Sequence, residues 1–156
     1  MKKLIKRREI PGGNPVSDNT LLDRLYRSRH IQNSQELDRT LQSMLNPNQL
    51  YGIQQAVNLL VDAYQQKQKI VIVGDFDADG ATSTALSVLA LRMLGFTDVE
   101  YLVPNRFEQG YGLSVPVAEM AMEKGVQLLM TVDNGVSSFE GVAYLKEQGV
   151  KVLITD

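Results

Sequence analysis

Apolar positions along this chain follow one rhythm before residue 68 and another after it. In the first part they recur at helical spacing. After a turn-forming stretch, Pro11-Gly12-Gly13-Asn14-Pro15-Val16-Ser17-Asp18, the residues Leu21, Leu22, Leu25 and Tyr26 mark a helix with Ser17 or Asp18 as its expected cap. A second short helix is expected from near Ser34, carrying Leu37, Leu41 and Leu45 and ending before Asn46-Pro47. A third is expected over about 53–66, with Val57, Leu60, Val61 and Tyr64 on one face. From Ile70 onward, short apolar runs alternate with helical segments. The strand candidates are 70–73, 99–103, 127–132 and 151–155, and the helix candidates are about 80–94, 114–124 and 137–148. Gly95, Gly125 and Gly149 each fall just past a predicted helix end, where a left-handed residue closes the last turn.

A β-α-β-α-β-α-β run of this length predicts an α/β fold. It is a mostly parallel, Rossmann-like sheet with flanking helices, preceded by a short helical N-terminal segment. The expected organisation is a lead-in over 1–68 and a sheet domain over 69–156.

Composition narrows the class. There is no cysteine, which excludes a disulfide framework and a thiolate metal site. No apolar run approaches the ~18 residues of a membrane span. The start, Met1 to Arg8, is basic but lacks the apolar stretch of a signal peptide, so a cytoplasmic protein is expected. The net charge of −2 conceals an asymmetry. Residues 1–50 hold nine Lys/Arg against five Asp/Glu, and residues 51–156 hold seven against thirteen. A basic arm (Lys2, Lys3, Lys6, Arg7, Arg8) on an acidic core is compatible with a nucleic-acid substrate and equally with a solvated terminus. The single histidine, His30, is far in sequence from every acidic motif and reads as a surface residue.

The chemistry concentrates in Ile70-Val71-Ile72-Val73-Gly74-Asp75-Phe76-Asp77-Ala78-Asp79-Gly80-Ala81-Thr82-Ser83. A buried-strand pattern ends in three carboxylates at alternate positions. Charges this crowded repel by roughly 4 kcal/mol per pair at 4 Å and an effective dielectric near 20. A hard divalent cation with oxygen ligands, Mg²⁺ or Mn²⁺, would resolve that repulsion. Three other readings compete. Asp75-x-Asp77-x-Asp79-Gly80 fits the first six positions of an EF-hand loop, but the twelfth is Leu86 where a bidentate Glu is required. Asp75-Phe76-Asp77 fits a haloacid-dehalogenase-type phosphatase, but Asp79 stands where that pattern has Thr or Val. The third is a plain acidic turn, which leaves the register of strand, carboxylates and small-residue helix start without a cause.

Ligands of parallel sheets sit at the carboxyl ends of strands. The third predicted strand ends in Asp133-Asn134-Gly135 and the fourth in Asp156, so Asp75, Asp77, Asp79, Asp133 and Asp156 could converge on one sheet edge. Asn134-Gly135 is also an ordinary tight turn, which would aim Asp133. The segment Pro104 to Ser114 leaves the second strand at the same edge. It offers Arg106 for a phosphate and Tyr111 for a base or phosphate. No phosphate-binding Gly-x-x-x-x-Gly-Lys loop and no Gly-x-Gly-x-x-Gly after a strand occurs.

Four ordered motifs together resemble the DHH phosphoesterase family, and the likeness extends over residues 21–156. They are Val73 to Ser83, Pro104-Asn105-Arg106 with Gly110-Tyr111-Gly112, Thr131-Val132-Asp133-Asn134-Gly135, and Val152-Leu153-Ile154-Thr155-Asp156. The resemblance is to the branch that degrades single-stranded DNA from the 5′ end, in DNA repair and recombination. It implies two divalent ions, Mn²⁺ or Mg²⁺, held by Asp75, Asp77, Asp79, Asp133 (as a bridge) and Asp156. It implies catalytic roles for Asp77, Asp79 and Asp133, and substrate binding by Asn105, Arg106, Tyr111 and Asn134. The implied partners are single-stranded DNA and single-stranded-DNA-binding protein. The family's Asp-His-His signature is met here only at its Asp, Asp156, so the chain reads as an N-terminal part of the enzyme, expected to be inactive alone. Two alternatives remain: a family phosphatase of small phosphodiesters or short oligonucleotides, and a non-catalytic metal-binding or interaction fragment.

Overall fold

A computed structural model describes Lys6 and residues 9–156. Of the basic arm, Lys2, Lys3, Arg7 and Arg8 lie outside the described residues, and Lys6 is exposed. The chain forms two compact units, residues 1–50 and 51–156.

The first unit holds helix α1 (Thr20–Arg27) and three short 3₁₀ turns, Ser34–Leu37, Leu41–Ser43 and Pro47–Gln49. The cap of α1 is Asn19, not Ser17 or Asp18. Its Oδ1 accepts from the backbone N–H of Leu21 (3.0 Å) and Leu22 (3.1 Å). Ser17 instead accepts from the Asn19 N–H. The single helix expected from Ser34 does not form. Asp38 adopts an extended backbone and its side chain accepts from the Thr40 N–H and hydroxyl, a local bond that competes with helix. Leu41 and Leu45 are 81% and 78% exposed, so no buried face rewards a continuous helix there.

The second unit is the predicted α/β fold. Its elements run α2 (Ile53–Gln65), β1 (Ile70–Gly74), α3 (Ala78–Met93), β2 (Val99–Leu102), α4 (Arg106–Gln109), α5 (Val115–Glu123), β3 (Leu128–Val132), α6 (Phe139–Glu147) and β4 (Lys151–Thr155). All strand pairs are parallel, in the order β2-β1-β3-β4. Every residue of β1 is buried, because a central strand of a covered parallel sheet has no solvent face. Its alternate residues point to opposite layers. Ile70 and Ile72 pack with Ala63, Val88 and Leu91 of α2 and α3, while Val71 and Val73 pack with Val117, Ala121 and Leu145 of α5 and α6. The one helical element of this unit not anticipated is α4, a single turn capped by Asn105, whose Oδ1 accepts from the Phe107 N–H.

Topology positions the site. The chain leaves β1 for β2 on one side and returns to β3 on the other, so the strand order reverses between β1 and β3. The crevice beyond the carboxyl ends of these two strands is the ligand position of such sheets. The register Gly74↔Val132 brings the two strand ends level there.

Candidate metal centre

Asp75 follows β1 directly and is 6% exposed. Asp77, two residues on, caps α3: its Oδ1 accepts from the N–H groups of Asp79 (3.2 Å) and Gly80 (3.1 Å). That bond satisfies orphan donors and sets a carboxylate at the positive end of a sixteen-residue helix. The short turn needs Gly80, because a Cβ there would come within 2.3 Å of the Asp75 carbonyl oxygen.

Asp133 enters from β3 in a left-handed backbone conformation, φ +60°, uncommon for a residue other than glycine. The conformation is locked from behind. Asn134 is 1% exposed and its Nδ2 donates to the carbonyls of Val73 (3.0 Å) and Val132 (2.9 Å), tying the ends of β1 and β3 together. Gly135 closes the turn at φ +118°, where a Cβ would lie 2.7 Å from Thr131 Oγ1. As a result, one carboxylate oxygen from each of Asp75, Asp77 and Asp133 lies within 4.8 Å of the others. Three hard oxygen donors converging on one point suit a small divalent cation.

The electrostatics agree with this geometry. The Asp133 carboxyl is raised from its ordinary value, first by desolvation and then by Asp77, Asp79, Asp75 and Asp156. Asp75 has a counter-ion of its own, Arg106, whose Nη2 lies 2.5 Å from Asp75 Oδ2. The Arg106 guanidinium also sits 4.1 Å from the centre of the Phe76 ring and 4.8 Å from that of Tyr111. Tyr111 is raised in turn, by desolvation first and then by Asp75 and Asp156, with Arg106 opposing.

The remaining residues expected at the site fall around this trio. Asp79, in the first turn of α3, and Asp156, after β4, stay outside it. With Thr82, Ser83, Asp133 and Thr155 they line a groove of about 490 Å³ alongside. Asp156 accepts from the Val136 N–H at 2.8 Å. Asn105 is exposed and caps α4. Asn134 is buried, with both described bonds made to the sheet. Phe76 joins the site without having been expected there. Its signal in the sequence is an aromatic residue set between two carboxylates, and its side chain is 54% exposed.

Residues 69–156 match the DHH family, N-terminal domain. The chain is 85% identical over 156 residues to the single-stranded-DNA-specific exonuclease RecJ of Haemophilus influenzae, covering all of this chain and 27% of that protein. It is 50% identical over 154 residues to the exonuclease of the same name from Escherichia coli, covering 97% of this chain and again 27% of the relative. It therefore spans about a quarter of the length of these relatives. Among solved structures, it is similar to exonuclease RecJ bound to manganese (38% identity, TM-score 0.65, covering 72% of this chain and 29% of that one). It is also similar to RecJ in complex with Mn²⁺ from Thermus thermophilus (34% identity, TM-score 0.61, covering 84% and 18%). With the family's N-terminal domain matched over more than half its residues, this chain belongs to the DHH family.

Proposed function

We propose that this chain is the N-terminal part of a metal-dependent exonuclease that degrades single-stranded DNA from its 5′ end. The observation that carries the reading is the trio Asp75, Asp77 and Asp133 at the crevice between β1 and β3. Support comes from the relatives named single-stranded-DNA-specific exonuclease and from the similar structures described with manganese. The same reading assigns it to the cytoplasm and to DNA repair and recombination, and among the described residues no helix is long and apolar enough to cross a membrane. A partnership with single-stranded-DNA-binding protein rests on the family resemblance alone.

In this mechanism Asp75, Asp77 and Asp133 hold Mn²⁺ or Mg²⁺, and Asp79 and Asp156 border the site. Ions bound there, two being expected in the whole enzyme, would supply an activated water and stabilise charge on the phosphodiester. Asp77 is oriented for this by its cap to α3, Asp133 by the left-handed turn. Arg106, steadied between Phe76 and Tyr111, contacts a substrate phosphate. Asn134 positions Asp133 by tying β3 to β1, and Asn105 fixes α4, the turn that carries Arg106. Three carboxylates are fewer ligands than a two-ion centre uses, so these 156 residues alone hold one ion and hydrolyse DNA poorly.

The test is digestion of a 5′-labelled single strand with Mn²⁺. The full-length Haemophilus relative should release nucleotides from the 5′ end. Its double variant, with Asn at the positions matching Asp77 and Asp133, should lose about a thousandfold or more of that rate, as removal of catalytic groups does. This chain alone should run at least about a hundredfold below the unmodified relative. A double variant as fast as its parent would overturn the assignment of the trio.

A further inference from the structure

We infer that Arg106 serves as a built-in stand-in for the divalent cation, neutralising Asp75 in the ion-free protein and giving it up when the cation is bound. The inference rests on the metal reading of the trio. Both oxygens of Asp75 are engaged: Oδ1 accepts from the Phe76 N–H at 2.7 Å, and Oδ2 takes the Arg106 Nη2. Of the trio, Asp75 is the only buried member. A buried carboxylate without a partner is expensive, so an unloaded site needs a counter-charge at this residue above all. Asp77 is compensated by the start of α3, and Asp133 is partly solvated.

The guanidinium is held in a way that allows release. It lies against the rings of both Phe76 and Tyr111, so its position does not depend on Asp75 alone. A cation sharing Asp75 divides that carboxylate's charge and repels a guanidinium beside it, which weakens the ion pair from both sides. Arg106 then stays at the rim, against the same two rings, with its N–H groups turned from protein carboxylate to substrate phosphate. Cation loading and phosphate binding would thus be ordered by one side chain. Sequence adjacency supports the arrangement, since Phe76 is the residue between Asp75 and Asp77 and moves with them.

The sign of the test is unusual: removing a positive residue of the site should tighten Mn²⁺. Isothermal titration of this chain at pH 8 should show Arg106→Ala binding Mn²⁺ roughly three- to tenfold more tightly than the unmodified chain. Arg106→Lys keeps the charge without the fork and should fall between them. If Arg106→Ala fails to fold, the unmodified chain still gives a readout. The Nε–H resonance of Arg106 should move on titration with diamagnetic Mg²⁺, as it loses Asp75. Equal or weaker Mn²⁺ binding by a folded Arg106→Ala, or an Arg106 resonance unmoved at saturating Mg²⁺, would overturn the inference. Absence of Mn²⁺ binding by every form would overturn the metal site itself, and this inference with it. The two failures are distinguishable, because the first requires that the unmodified chain bind the ion.

Discussion

The two ends of the same four-stranded sheet treat carboxylates in opposite ways. At the amino edge, Glu100 lies 2.6 Å from Lys69 and 2.9 Å from Lys124, and its carboxyl is lowered to about 2 by hydrogen bonds from these two ammonium groups. Lys69 is raised in return, first by Glu100, and also pairs with Asp98. At the carboxyl edge, Asp133 is raised, and the four other groups that shift it are all aspartates. The amino edge is electrostatically closed. The carboxyl edge is left short of positive charge, with Arg106 covering only Asp75. Parallel strands set all their amino ends at one edge and all their carboxyl ends at the other, and the loops at each edge deliver different side chains. A deficit confined to one edge is how a structure leaves room for a cation.

The strongest way to break this comparison is Asp133→Asn. Asparagine tolerates the left-handed backbone as aspartate does, so the substitution removes charge and leaves the turn. Mn²⁺ affinity should fall about a hundredfold or more in a calorimetric titration, the loss expected when a ligand rather than its supporting group is removed. Without metal the order of stability inverts, and the variant should melt above the unmodified chain at pH 7. The sign follows from linkage. A carboxyl whose folded pKa is raised costs stability when ionised, and that cost disappears as pH falls through the folded value. The gap between the two melting curves should therefore close in acid, and with saturating Mn²⁺ the unmodified chain should melt higher. A variant less stable than its parent in both conditions would mean that the cluster carries no unrelieved repulsion.

A pair of glycines sharpens the comparison from the side of packing. Gly80→Ala should destabilise by about 2–3 kcal/mol in chemical denaturation, because its Cβ meets the Asp75 backbone and something must shift. Gly125→Ala, near the amino edge at φ +74° with open space around it, should cost only the left-handed strain of about 1 kcal/mol. Equal costs would show that the close approach of α3 to β1 is not what constrains the site.

The smallest effect belongs to Glu100→Gln. Glu100 is exposed to screening, so its removal should lower stability slightly at neutral pH. A depressed folded pKa contributes stability above the unfolded value, near 4.5, and loses it as pH falls toward about 2. The difference between variant and parent should thus be flat from about pH 5 to 9 and vanish near pH 2. A difference that persists in acid would assign it to packing of the side chain rather than to its charge.

The convergence of Asp75, Asp77 and Asp133 is legible because strand ends obey a topological rule, and strands are visible as β-branched runs bounded by turns. All four strands of the sheet can be found in this way. What the sequence conceals is direction and pairing. Asn134 is expected at the substrate, and its amide turns inward to two carbonyls. Arg106 is expected at a substrate phosphate, and its guanidinium lies against Asp75, 31 residues away. Neither partner can be read from spacing, because each is set by long-range strand pairing. The spacing of Leu37, Leu41 and Leu45 misleads for the complementary reason. Periodicity predicts a helix only where a surface exists for its apolar face, and periodicity alone does not supply that surface.

The tie from Asn134 to Val73 joins residues 61 positions apart, and it has a kinetic consequence. Most helical contacts here are local and close early, whereas the β1–β3 pairing must first meet the loop-closure entropy of everything between. The trio exists only once that pairing is made. A cation held by the trio would therefore report on this non-local pairing: in a refolding experiment, Mn²⁺ capture should lag behind the recovery of helical signal and coincide with burial of β1. An ion that arrives only after the non-local step could not nucleate this fold, and its binding energy would act on the rate of unfolding instead.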